Sequence, residues 1–259
     1  MSSVAQFLEP PATQSILGVH VAASSYDETT RKSLAWGENR ESRALLFANV
    51  HVIMEAFDDA AFRDRLNMAD MVNPDGVPLV WTLRALGEKA AQRVYGPDAT
   101  MALLGAAEKA GLSAGFYGGS PRVLDSLARV VRARHPLLKI AYIESPPFRP
   151  LTDEEDEAVI KRIRSSGVQL LFVGLGCPKQ EIWVTDHLGK IPAVMLAVGA
   201  AFDFIAGTKP QAPRWMMRNG LEWVFRFATE PKRLAHRYLK HNPRFIGLVL
   251  LQLLGMPRE

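Results

Sequence analysis

The stretch that most constrains this chain is Leu170 to Gly207, LLFVGLGCPKQEIWVTDHLGKIPAVMLAVGAAFDFIAG. It opens with an uninterrupted apolar run, Leu170 to Val173, the pattern of a parallel strand buried on both faces. The run ends in Gly174-Leu175-Gly176, a turn that lets backbone approach a ligand closely. Pro178 then stands where a helix would begin, and Pro178 to Leu188 reads as that helix. A second apolar strand, Ala193 to Val198, ends in Gly199-Ala200-Ala201-Phe202-Asp203. Strand, glycine turn, helix and strand make a βαβ unit, whose ligands sit at the carboxyl ends of the strands. Lys179, Gln180, Glu181 and Asp203 at that edge are therefore the first site candidates. A helix N-terminus there also suits a phosphate. Glycine turns after strands are common, so a phosphate role and a purely structural one both stay open.

Around this unit, strand and helix patterns alternate through a 259-residue chain that is 48% hydrophobic, which points to an α/β protein with a parallel sheet. Ser15 to Val21 reads as a first strand, Ser25 to Gly37 as a helix, and Ala44 to Val50 as the next strand. A helix is expected from there through Ala60, then a short segment from Arg63 to Ala69. Further strands are expected at Ser113 to Tyr117 and Leu138 to Glu144. The helix before His135 carries Leu124, Leu127 and Val131 at helical spacing. Thr152 followed by Glu155 is a capping-box signature. The acidic run Asp153 to Glu157 in that first turn is better read as dipole compensation than as a metal site. Residues 1–14 read as a loose arm broken by Pro10-Pro11, and no signal peptide is expected. No apolar run reaches the roughly 20 residues that span a bilayer. One cysteine, Cys177, excludes an internal disulfide framework; beside a strand end it reads as a small packed residue.

The second informative stretch is Asn73-Pro74-Asp75-Gly76, turn chemistry before a helix from Val77 to Leu86. Asp75 there either acts on a ligand or caps the helix, and the residues leave both open. A third is the basic end of the chain. From Lys209 to Glu259 there are 10 Lys and Arg against 3 Asp and Glu, a net +7, so the remaining 21 basic and 24 acidic residues sum to −3. Trp215, Trp223 and Phe227 are interleaved with Arg214, Arg218 and Arg226, as in an interfacial amphipathic segment. Pro231 breaks this segment, a basic helix follows over Lys232 to His241, and Pro243 separates it from the apolar Phe245 to Leu254. An ordinary packed helical hairpin is the competing reading, and nucleic-acid binding lacks a stacking platform or RNP-like motif.

Taken together, these stretches resemble the WecG/TagA/CpsF family, glycosyltransferase family 26. The resemblance rests on Asn73-Pro-Asp-Gly-Val, Arg93-Val-Tyr-Gly-Pro-Asp98, Phe116-Tyr-Gly-Gly-Ser120 and Phe172-Val-Gly-Leu-Gly-Cys-Pro-Lys-Gln-Glu181. Gly199-Ala-Ala-Phe-Asp-Phe-Ile-Ala-Gly207, Ala212-Pro-Arg-Trp-Met216, Gly220-Leu-Glu-Trp-Val-Phe-Arg226 and Glu230-Pro-Lys-Arg-Leu234 continue it. The resemblance implies a Rossmann-like parallel-sheet catalytic domain, residues 1–208, and a helical, basic, membrane-associating appendage, residues 209–259. On that reading the chain up to Gly207 folds as a core of its own. The implied reaction is inverting transfer of a sugar from a UDP-sugar to a polyprenyl-diphosphate-linked saccharide, peripherally, at the cytoplasmic face of the plasma membrane. It needs no metal and no cofactor, which agrees with the lack of a D-x-D motif. The implied base is Asp75, and the implied substrate-binding set is Asn49, His51, Arg93, Gly118, Gly119, Lys179, Gln180, Glu181 and Asp203. Arg226, Arg233 and Arg237 would meet the membrane or the diphosphate. The expected partners are the donor, the lipid-linked acceptor and an anionic membrane surface, not nucleic acid, and a homo-oligomer is left open. Many members carry T-x-N-x-E where this chain has Phe47-Ala-Asn-Val-His51, so the sugar is not specified. The rival reading from another class is a non-catalytic Rossmann-type nucleotide-binding module, for which Gly174-Leu-Gly176 lacks the third glycine.

Overall fold

The structure is a computed structural model, and it describes residues 11–256. The expected arm therefore lies outside the described residues up to position 10, and Thr13 and Gln14 already belong to a strand. The chain starts with β1 (Thr13–Ile16), β2 (Val19–Ala22), α1 (Tyr26–Glu38), β3 (Arg43–Ala48), α2 (Val50–Asp58) and α3 (Ala60–Asn67). It continues with β4 (Met71–Pro74), α4 (Val77–Ala85), α5 (Gly96–Ala110), β5 (Ala114–Gly118), α6 (Pro121–Arg134), β6 (Ile140–Glu144) and α7 (Asp153–Ser166). It closes with β7 (Leu170–Gly174), α8 (Lys179–Asp186), β8 (Val194–Ala197), α9 (Ala201–Ile205), α10 (Arg214–Arg218), α11 (Glu222–Thr229) and α12 (Pro231–Leu253). Six strands form one sheet in the order β4-β3-β8-β7-β5-β6, and the pairs β3–β8, β7–β8, β5–β7 and β5–β6 are parallel. The α/β reading with a parallel sheet holds.

The chain divides into two compact units that interleave along the sequence. The first holds Tyr26–Leu46 and Gly96–Lys209. Its central strands β7 and β8 are buried almost throughout, which explains their continuous apolar runs. Helix α6 turns Leu124, Leu127, Ala128 and Val131 inward, four positions on one helical face. Helix α7 begins with the expected capping box: Thr152 Oγ1 accepts from Glu155 N at 3.3 Å, and Glu155 Oε2 accepts from Thr152 N at 3.0 Å.

The second unit holds Pro11–Ser25, Phe47–Tyr95 and the chain from Pro210 onward. The segment after residue 209 thus shares a core with residues 47–95, where a single division at 208/209 was expected. Helix α12 lies on α2, and its Leu234, His241, Phe245, Leu248 and Val249 are buried. Bidentate Arg244–Asp58 contacts of 2.6 and 2.9 Å join the same two helices. The side chain of Gln252 reaches the β1–β2 turn, accepting from Leu17 N at 3.0 Å and donating to Ser15 O at 2.6 Å.

Three local expectations are corrected. Ser15 to Val21 is not one strand but an antiparallel hairpin, because Leu17 and Gly18 adopt φ values of 50° and 91°, the two positive angles of a tight hairpin turn. The segment from Arg63 belongs to α3, which Asp59 starts by accepting from Phe62 N at 3.1 Å. Pro243 does not separate two helices; it lies inside α12. Proline forfeits a helical hydrogen bond, but buried residues on both sides of it hold the helix in one piece.

Candidate active site

In the second unit the Asp75 turn is built by its own backbone. Asp75 N and Gly76 N both donate to Ala48 O, at 2.8 and 3.2 Å, which ties the turn to the end of β3. Asn73, expected in a turn, is the fully buried third residue of β4, and its Oδ1 accepts from Ser24 Oγ at 2.7 Å. Gly76 is the N-cap of α4, and no side chain caps this helix. A Cβ at Gly76 would stand 3.2 Å from Asn49 Cα, so glycine is what lets the turn lie this close to Asn49. Gly76, not Asp75, thus occupies the cap position of α4, the role that the sequence left open for Asp75.

The carboxylate of Asp75 instead meets Arg93. Arg93 Nη2 is 3.2 Å from Asp75 Oδ1 and 2.5 Å from Glu222 Oε2. Arg93 Nε donates to the Asp75 carbonyl, and Nη1 donates to Met217 O at 3.3 Å. The guanidinium also lies 4.4 Å from the centre of the Tyr95 ring. Burial works against the Arg93 charge, but Asp75 and Glu222 outweigh it and raise its pKa. Burial, then Glu222 and Asp75, pushes the Tyr95 hydroxyl up, so Tyr95 stays protonated at neutral pH. One half-buried arginine thus contacts two carboxylates and the turn backbone together.

Asn49 Oδ1 caps α2, accepting from His51 N at 3.0 Å and Val52 N at 3.4 Å. His51 faces Glu55 and His241, with its Nδ1 3.6 Å from Glu55 Oε1. Its pKa is lowered to about 3, first by burial and then by Arg237, His241, Arg226 and Lys240. Arg226 also bears on Tyr95, so its charge reaches both groups of side chains. Arg233 lies in α12, but its side chain falls outside what the structure describes.

In the first unit the two glycine turns meet each other. Gly118 has φ 113°, and a Cβ there would stand 2.6 Å from Gly174 backbone atoms; one on Gly174 would strike the Phe202 ring at 2.6 Å. Gly119 N donates to Gly174 O at 3.0 Å. Close approach does require these glycines, and the partners visible here are protein backbone and Phe202. Gln180 is 4% exposed: its Oε1 accepts from Gly176 N at 3.1 Å, and its Nε2 donates to Glu181 Oε1 at 2.9 Å and Ala197 O at 3.3 Å. Glu181 is 1% exposed. Both residues brace the turn from within. Lys179 is exposed at the start of α8, and Asp203 Oδ1 accepts from Thr208 Oγ1 at 3.1 Å.

The family model described as Glycosyl transferase WecG/TagA/CpsF family matches residues 14–259. The chain belongs to this family. It is therefore a glycosyltransferase of cell-surface polymer synthesis, a family that uses a sugar donor and a lipid-linked acceptor. The structure adds Glu222 to the residues around Asp75, and sequence reasoning assigned it no role. Its signal was its place inside Gly220-Leu-Glu-Trp-Val-Phe-Arg226, but a glutamate in a first helical turn is adequately explained by the helix dipole. His241 meets His51 and Glu55 from far along the chain, and nothing local in the sequence ties it to them.

Proposed function

We propose that this glycosyltransferase catalyses inverting transfer from a UDP-sugar to a polyprenyl-diphosphate-linked saccharide, with Asp75 as the general base. The acceptor hydroxyl attacks the anomeric carbon in line, and Asp75 takes its proton as the bond forms. The observation that carries this reading is the Asp75 turn: its carboxylate is oriented by an arginine that Glu222 shares. The UDP leaving group gains negative charge, which positioned cations and N–H donors stabilise. Arg226 and Arg237, the latter with Arg233 on α12, are assigned to the diphosphate or the lipid headgroups. In the first unit, Lys179, Gly118 and Gly119 are assigned the substrate-binding role that the family resemblance implies for them. Gln180 and Glu181 hold the Gly174–Gly176 turn, while Asn49 and Asp203 are assigned to the substrate hydroxyls. In this reading no metal bridges the diphosphate.

The tail is assigned to an anionic membrane at the cytoplasmic face. No described helix is long and apolar enough to cross a membrane. Ten of the fifteen large apolar side chains that are exposed among the described residues follow residue 209. Ile246, Leu250 and Leu253 form a stripe on α12, exposed by 60%, 55% and 41%, and Trp215 and Trp223 are exposed by 61% and 44%. Aromatic and aliphatic groups among arginines suit the headgroup boundary.

The deciding experiment is Asp75→Asn, assayed for UDP release with a lipid-linked acceptor across several UDP-sugars. Turnover is expected to fall by roughly 10²–10⁴, the usual worth of a general base, with circular dichroism and UDP binding unchanged. Near-normal turnover in the variant would remove Asp75 from the chemistry. Native turnover is also expected to survive EDTA; loss restored by Mg²⁺ or Mn²⁺ would contradict a metal-free diphosphate.

A further inference from the structure

Two helices far apart in the chain bring three ligating side chains together. His51 and Glu55 stand four residues apart in α2, and so on one helical face. His241 comes from α12, which lies against α2. Glu55 Oε1 is 3.2 Å from His241 Nε2 and 3.6 Å from His51 Nδ1. One ligand atom from each side chain can be chosen so that all lie within 4.8 Å of one another, and no other group of three such residues among the described ones does this. In a tetrahedral zinc site with bonds of about 2.0–2.1 Å, neighbouring ligand atoms are about 3.3 Å apart. Two edges of the observed triangle, 3.2 and 3.6 Å, are close to that length, and the third is within 4.8 Å. His51 Nδ1 is buried and makes no hydrogen bond. A buried nitrogen left this way calls for an explanation such as an ion.

We propose that His51, Glu55 and His241 form a binding site for a divalent transition-metal ion of the zinc class, which pins α12 to α2. Two imidazoles and one carboxylate are a borderline donor set, suited to Zn²⁺ and poorly suited to the all-oxygen preference of Mg²⁺ or Ca²⁺. The surrounding charges sharpen that choice. Arg226, Arg237 and Lys240 bear on His51, and Asp58 is engaged by Arg244 and Lys240. Such a field repels an ion held by charge alone, but a nitrogen donor that carries no proton still binds a metal that accepts its lone pair. Three protein ligands leave a fourth position for water. The site is assigned a role in holding the tail, and it is independent of the sugar-transfer reading.

The test uses the full chain, free of added histidines and stripped with chelator, titrated with Zn²⁺ by calorimetry and followed by thermal unfolding. One equivalent of Zn²⁺ is expected to bind and to raise Tm, while Mg²⁺ does neither. His51→Gln and His241→Gln should each weaken binding by about 100-fold or more, and Glu55→Gln by about tenfold. The Tm rise should disappear with the binding. If a histidine variant fails to fold, the part-exposed Glu55→Gln carries the test. Absence of Zn²⁺ binding to the native chain would overturn the proposal. So would an affinity unchanged by all the folded variants, which would move the ion to Cys177 or to His20, His135, His187 or His236. Mg²⁺ binding as tightly as Zn²⁺ would overturn the assigned metal class.

Discussion

Arg93 is the residue on which the geometry of the Asp75 turn depends, because its planar fork reaches the Asp75 carboxylate, the Asp75 carbonyl and Glu222 together. Lysine carries the same charge but not the fork. Arg93→Lys is therefore expected to lower kcat by about 10²-fold through misplacement of the base, with little change in the chain's circular dichroism. Steady-state kinetics with saturating donor would check this, and a kcat equal to the native value would show that Asp75 needs no such support. Gly118 makes a different demand. Its φ of 113° and the 2.6 Å approach of a would-be Cβ to Gly174 make Gly118→Ala both strained and overpacked. A loss of about 3 kcal/mol is expected from the urea midpoint. Asp75, Arg93 and the glycines were legible as motif positions. The alternative roles of Asp75 were not separable in sequence, because cap and base need the same residue in the same turn; only the position of Gly76 as N-cap separates them.

At the scale of elements, α7 shows how far local pattern reaches. Its capping box was readable because both partners lie within one turn, and Thr152→Ala is expected to cost about 1 kcal/mol in chemical unfolding. The β6–α7 tie is a pH-dependent one. Arg162, and secondarily the Tyr142 hydroxyl, lower the pKa of Glu144 below its ordinary 4.5. A depressed carboxyl contributes stability above its unfolded pKa and loses it as pH falls through the folded value. Glu144→Gln should therefore unfold more easily than the native chain at neutral pH, by about 1 kcal/mol or less for so exposed a pair. The gap in Tm should narrow as pH drops below 4.5. A gap that stays constant with pH would assign the effect to packing. The hairpin of β1 and β2 reads as a single strand because its apolar residues flank the turn closely on both sides, and the positive φ values of Leu17 and Gly18 make the reversal. Pro243 misled for the opposite reason: a breaker acts locally, and α12 is held from outside itself.

For the molecule as a whole, the tail has one buried face and one exposed face. The inner face, Leu234, His241, Phe245, Leu248 and Val249, completes the second unit, so cutting the chain after Gly207 should leave that unit unfolded rather than release an intact core. The outer face is the one to test for membrane contact. Replacing Ile246, Leu250 and Leu253 by serine should reduce sedimentation with anionic liposomes while leaving Tm near the native value, since these side chains are exposed. Native binding should weaken in high salt without vanishing, because each Lys or Arg near the surface contributes about 1 kcal/mol of screened attraction and apolar burial adds an unscreened part. Equal sedimentation of the variant would make the tail an ordinary packed element. The sequence by itself determined what is local or compositional: buried parallel strands, capped amphipathic helices, a basic end and motifs specific enough to place the family. The tertiary structure decided which faces meet. Arg93 and Glu222 are separated by 129 positions, and neither carries a local sign of the other. Periodicity says that a helix has a face to bury, but the partner of that face is chosen by packing across the whole chain, which is why the residues after 209 join residues 47–95 in one unit.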